Sequence, residues 1–166
     1  MIGNDIVDLV LAKKESNWKR RGYLDKIFTQ KEQVLIKEAI NPEVMVWNLW
    51  TRKEAAYKIY NRETKIRAYM PLQLECDLES DTVGTVCCNG LLFYTNTKIA
   101  QESIYTIAVA QKQYLHQIST ITLETKISKV RDIPYIFDEL TLISHPVSIT
   151  HHGRFWEGIT LLKKIF

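Results

Sequence analysis

The alternation of apolar and polar positions changes character along this chain, and the changes predict its elements. Ile2, Ile6, Val7, Leu9 and Val10 give residues 2–10 the β-branched bulk of a strand, interrupted by Asp5 and Asp8. A helix is expected through Lys13–Leu24, closing near Gly22. Thr29-Gln30-Lys31-Glu32 reads as a capping box, and Val34, Leu35 and Ile36 continue it as a short helix that stops at Asn41-Pro42. Pro42 suits the first turn of the next helix, expected to run to about Tyr60. From residue 71 the period shortens. Leu72, Leu74, Cys76 and Leu78 alternate with polar residues, as in a strand with one wet face. Thr85–Cys88 and Leu91–Tyr94 flank Asn89-Gly90, a hairpin signal, because Asn-Gly accepts the positive φ angles of a type I′ turn. Ile104–Ala110 and Ile118–Leu123 are further strands, Pro134–Leu140 reads either way, and Ser148–Thr150 and Ile159–Leu162 flank a His-His-Gly turn.

A helical first part followed by a strand-rich part without alternating βα units is an α+β pattern, with an antiparallel sheet packed against helices. The 166 residues suit one domain, spanning 1–166, and no internal repeat or linker divides them. No apolar run is long enough for a membrane span. The start MIGNDIVDLV lacks the basic and apolar regions of a secretion signal, so a cytoplasmic protein is expected. Cys76, Cys87 and Cys88 show no metal-finger spacing and read as reduced thiols, mostly buried. Net charge is only +3, modest for a nucleic-acid binder, but Lys13, Lys14, Lys19, Arg20 and Arg21 crowd one stretch. Such a patch either attracts an acidic or phosphorylated partner or is simply a solvated face.

The candidate chemistry lies on the Pro42–Tyr60 helix. At about 100° per residue, Trp47, Trp50, Glu54 and Lys58 share one side. Tryptophan is usually well buried, and a carboxylate and an ammonium beside it are costly to desolvate unless a metal, a phosphate or both offset the cost. Asp5, inside an apolar strand, poses the same question. Asp5 and Glu54 converging on one cation would suit Mg²⁺, a hard ion that takes carboxylate oxygens and completes its shell with water and substrate phosphate. The plain alternative is a helix ion pair plus a strand-end Asp.

Gly3-Asn4-Asp5-Ile6-Val7, then Phe28-Thr29-x-x-Glu32, then Trp50-Thr51-Arg52-Lys53-Glu54-Ala55-Ala56-Tyr57-Lys58, together resemble the ordered signatures of the 4′-phosphopantetheinyl transferase superfamily. The first is similar to its G-x-D-[IV] strand. The last is similar to its W-x-x-K-E-x-x-x-K helix, with a start like the surfactin-synthetase-activating branch. Ser148-Ile149-Thr150-His151 resembles the Ser-x-[ST]-His segment of holo-acyl-carrier-protein synthases. The resemblance touches roughly the first 60 and last 20 residues. It implies transfer of 4′-phosphopantetheine from coenzyme A to a serine of an apo acyl or peptidyl carrier protein, releasing 3′,5′-ADP, in a pathway such as fatty acid biosynthesis. It implies Mg²⁺ at Asp5 and Glu54, and catalytic roles for Glu54, a candidate base, and Lys58, which would contact phosphate. Lys53 would bind phosphate or the leaving nucleotide, and Ser148 and His151 the nucleotide end of coenzyme A. The basic stretch would then face the acidic carrier. The chain departs from relatives that place a further carboxylate two residues after the strand Asp; here Val7 stands there, and Asp8 is at most an outer-shell group. With no second lobe in the sequence pattern, a neighbouring subunit is expected to cover the coenzyme, giving a homo-oligomer, most naturally a trimer. His151-His152-Gly153-Arg154 reads as a phosphate-contacting turn or a plain surface turn rather than a metal site, and His116 and His145 carry no expected role. Two other readings remain: a non-catalytic module binding coenzyme A or a carrier, and a Mg²⁺-dependent nuclease, which would need more clustered acids.

Overall fold

The computed structural model describes residues 1–161; the expected strand end at Leu162 and the last residues of the 1–166 domain lie outside the described residues. The chain runs β1 (Ile2–Asp8), α1 (Leu9–Glu15), α2 (Tyr23–Ile27), α3 (Gln30–Glu38), α4 (Pro42–Thr64), then β2 (Glu75–Leu78), β3 (Val83–Cys88), β4 (Leu91–Ile99) and β5 (Ser103–Val109). It continues through β6 (Ile118–Ile121), β7 (Ser128–Val130), β8 (Ile133–Asp138), β9 (Ile143–His152) and β10 (Phe155–Leu161). Among the described residues the strands form two antiparallel sheets, ordered β1-β5-β4-β3-β2 and β6-β10-β9-β8-β7. The α+β reading holds. No helix among the described residues is long and apolar enough to cross a membrane.

Local chemistry explains most boundaries. The first strand stops at Asp8, two residues sooner than its apolar run suggests, because the Asp8 carboxylate accepts from the amides of Val10 and Leu11 and so caps α1. The single helix expected over Lys13–Leu24 is broken. Gly22, at φ 76°, precedes α2 instead of closing α1. The capping box at Thr29 and Glu32 is present in both directions. Asn41 caps α4, with Pro42 in its first turn, and the helix continues to Thr64, four residues beyond the expected end. Asn89 and Gly90 adopt φ 49° and 80°, and the β3–β4 hairpin forms as its sequence predicts. The segment that read either way, Pro134–Leu140, is mainly β8. Cys76 and Cys88 are buried thiols and Cys87 is exposed.

The core lies between α4 and the first sheet, built on Val46, Leu49, Ala55, Ala56, Ile59, Val86, Phe93 and Ile104. Helix and sheet approach closely at one point. A Cβ on Gly3 would lie 2.0 Å from the Ala55 carbonyl oxygen, so only glycine lets β1 lie against α4 there. That contact sets Asp5 of β1 near Glu54 of α4. A second apolar cluster of Ile2, Val109, Ile159 and Leu161 joins the two sheets.

The second sheet meets β1 through side chains. Asn4, Ile6 and Asp8 donate their backbone N–H groups to Ser148 Oγ (3.1 Å), Thr150 Oγ1 (3.3 Å) and His152 Nδ1 (2.9 Å) of β9. Residues two apart on a strand share a face, so one face of β9 satisfies the donors along β1 that β5 does not pair. His152 accepts at Nδ1 and therefore carries its proton on Nε2.

Candidate active site

Asp5 and Glu54 line one cleft of about 350 Å³, together with Trp47, Trp50, Tyr23 and His151. Asp5 Oδ1 accepts from Thr150 Oγ1 at 3.0 Å and lies 3.5 Å from the Lys58 ammonium. Lys58 donates to the carbonyls of Asn4 (2.6 Å) and Ile149 (3.3 Å), so it is pinned between β1 and β9. Burial raises the Asp5 carboxyl above its ordinary range, against the pull of Lys58. Burial, then the charge of Asp5, pushes Glu54 up to about 7. Burial lowers the Lys58 ammonium against the opposing influence of both acids. The buried Tyr69 hydroxyl interacts with Glu54 without an ordinary hydrogen bond, and burial beside that acid raises it strongly.

Two half-buried, mutually repelling carboxylates with one half-buried ammonium beside them form a cation-seeking arrangement. Among the described residues no group of three or more His, Cys, Asp and Glu could hold a metal ion. The protein therefore offers a two-carboxylate set. That fits Mg²⁺, which takes one or two carboxylates and fills its remaining positions with water and substrate phosphate.

Other expected site residues lie elsewhere. Lys53 does not reach the cleft. Its fully buried ammonium lies 2.7 Å from Glu32 Oε2 and donates to the carbonyls of Pro71 (2.8 Å) and Leu74 (2.6 Å). One residue along a helix turns a side chain by about 100°, so Lys53 and Glu54 of the Lys-Glu pair look in different directions. The expected phosphate contact of Lys53 is thus replaced by a structural one. Ser148 is likewise fully buried with its hydroxyl occupied by the Asn4 amide, which corrects its expected contact with the nucleotide end. His151, three residues further along β9, faces the opposite way, is exposed, and lines the acidic cleft. Asp8 is committed to local contacts. It caps α1 and takes a bidentate pair from Arg154 Nε (2.9 Å) and Nη2 (3.1 Å), which holds its carboxyl well below the usual range.

The sequence reading missed Thr150, which orients Asp5, and Tyr69 beside Glu54. Period-2 alternation along Ser148–His152 was the available signal, since it separates 148, 150 and 152 from 149 and 151.

A model of the 4′-phosphopantetheinyl transferase superfamily matches residues 1–119. The chain belongs to this superfamily. The fold agrees. The structure is similar to that of a Helicobacter pylori holo-[acyl-carrier-protein] synthase in complex with coenzyme A, with a TM-score of 0.52 and 16% identity, over 66% of this chain and 98% of that one. No curated protein matches by sequence. The family match ends at residue 119, so most of the second sheet, β7 to β10, lies beyond it.

Proposed function

We propose that this superfamily member transfers 4′-phosphopantetheine from coenzyme A to a serine of an apo carrier protein, with Asp5 and Glu54 holding Mg²⁺. The observation that carries this reading is the shared cleft of Asp5 and Glu54, with Lys58 at 3.5 Å from Asp5. When bound, the ion would supply positive charge to diphosphate oxygens. The chain's own residues account for the rest. The serine Oγ attacks the phosphorus next to pantetheine, the new P–O bond forms, and the bond to 3′,5′-ADP breaks. Negative charge grows on the leaving and non-bridging oxygens. The Lys58 ammonium, fixed by two carbonyls, opposes that charge without having to reorganise. Glu54, in the same cleft, is the carboxylate placed to accept the serine proton, directly or through water. Trp47 and Trp50 narrow the cleft around it, and His151 on its rim is available to the coenzyme.

The test is the intact mass of an apo acyl carrier protein incubated with this protein, coenzyme A and Mg²⁺. A gain of one phosphopantetheine arm that disappears with EDTA is the expected outcome. No gain with several carriers, and no coenzyme A binding, sinks the proposal. Binding without transfer points to a module that holds the coenzyme only. Lys58→Ala should lower kcat by about 10²-fold or more with a smaller effect on coenzyme A affinity, because its contact strengthens as charge develops. Equal losses in both would make Lys58 a ground-state anchor.

A further inference from the structure

A second cleft, of about 570 Å³, opens on the other side of Lys58, between α4 and the β7–β8 hairpin. Lys58, Arg62, Arg67, Lys129 and Arg131 line it, with Asp132 as the one acid. Asp132 is itself engaged, 3.6 Å from Arg67. Glu54, Lys58 and Arg62 succeed one another at four-residue steps along one face of α4, so about 12 Å of helix separates the acidic end from the basic end. Lys58 belongs to both, since it contacts Asp5 and lines the basic cleft.

A diphosphate held at Lys58 has a cleft on either side for its two substituents. The end carrying a further phosphate is drawn by the cluster of cations. The hairpin adds an independent sign. Arg131 and Asp132 form a two-residue turn at φ 50° and 65°, a conformation that Asn-Gly adopts with less strain. Charged side chains kept at strained turn positions beside a cavity suggest that their charge is used there.

Resting on the function proposed above, we infer that Lys129 and Arg131, which lie outside the family-matched residues, bind the 3′-phosphate of the nucleotide and select coenzyme A over its 3′-dephospho form. Both residues are exposed, and Asn tolerates positive φ, so Lys129→Gln/Arg131→Asn leaves the fold intact.

The measurement is calorimetric titration of the full chain and this double variant with coenzyme A and with 3′-dephospho-coenzyme A. The original chain should prefer coenzyme A by at least about tenfold, the worth of one charge-assisted phosphate contact. The variant should lose that preference, its affinity for the dephospho form staying within about twofold. A variant that weakens both ligands alike, or neither, overturns the inference while leaving the proposed function standing. An original chain that binds both ligands equally does the same, and one that binds neither overturns both.

Discussion

Glu54 has a pH signature that can be read without any substrate. Its folded-state pKa of about 7 stands above its ordinary value of 4.5, so between these the folded protein binds the proton more tightly than the unfolded chain. Stability of the metal-free protein should therefore fall as pH rises through that window. Glu54→Gln removes this term. The metal-free variant should gain about 2 kcal/mol over the original chain at pH 8, allowing for partial exposure, and nearly nothing at pH 4.5. Urea unfolding at the two pH values checks this; a variant equally or less stable at pH 8 would remove Glu54 from the strained pair. The same variant should abolish transfer. Mg²⁺ binding, which needs the carboxylate free of its proton, should tighten for the original chain as pH rises through about 7. At this scale the sequence was partly legible. Asp5, Glu54 and Lys58 stood out as costly charges in apolar surroundings, but Lys53 did not separate from Glu54, because its partners Glu32, Pro71 and Leu74 are distant in sequence.

The elements explain why the Phe-Thr-x-x-Glu and Lys-Glu motifs occur together. Phe28 lies under the Lys53 ammonium, Thr29 and Glu32 cap α3, and Glu32 also accepts from the Cys76 amide at 2.8 Å. One buried ion pair thus ties α3, α4 and β2 together. Lys53→Met leaves the Glu32 charge buried and unpaired and should cost about 3–5 kcal/mol. Adding Glu32→Gln should recover part of that loss, since the amide oxygen still accepts a bond. Denaturant melts of the single and double variants test the coupling, and coenzyme A affinity measured where Lys53→Met remains folded should match the original chain. A large loss of affinity there would return Lys53 to the ligand. Helix starts and the Asn89-Gly90 turn were legible because capping and turn chemistry is local. The α1–α2 break was not, because both Lys13–Arg21 and Gly22 fit a helix that simply ends. The mating of β9 to β1 was illegible for a different reason: it spans 144 residues and uses Ser, Thr and His as acceptors.

At the scale of the whole molecule, the second sheet changes the argument about assembly. A trimer was expected because one lobe leaves the coenzyme uncovered. Here β7 and β8 of the same chain wall the basic cleft, and β9 closes on β1, so a coenzyme lying there as proposed would be covered without a partner subunit. Specific activity per chain should then stay constant on dilution. The proposed function also requires a surface for the carrier. Ser16 and Tyr23 line the acidic cleft, and the connector between them carries Lys19, Arg20 and Arg21, all exposed, with Arg20 over the Tyr23 ring at 5.1 Å. An acidic carrier drawn to this stretch would present its serine at the mouth that leads to Glu54, whereas the site proposed for the coenzyme's anionic end lies on the opposite side of Lys58. Replacing Lys19, Arg20 and Arg21 together with Ala should thus raise KM for the carrier about tenfold or more at low salt and leave KM for coenzyme A near its original value. Added salt should shrink the difference, since the contacts are exposed. Equal rises in both KM values would mean that the connector shapes the cleft rather than steering the carrier.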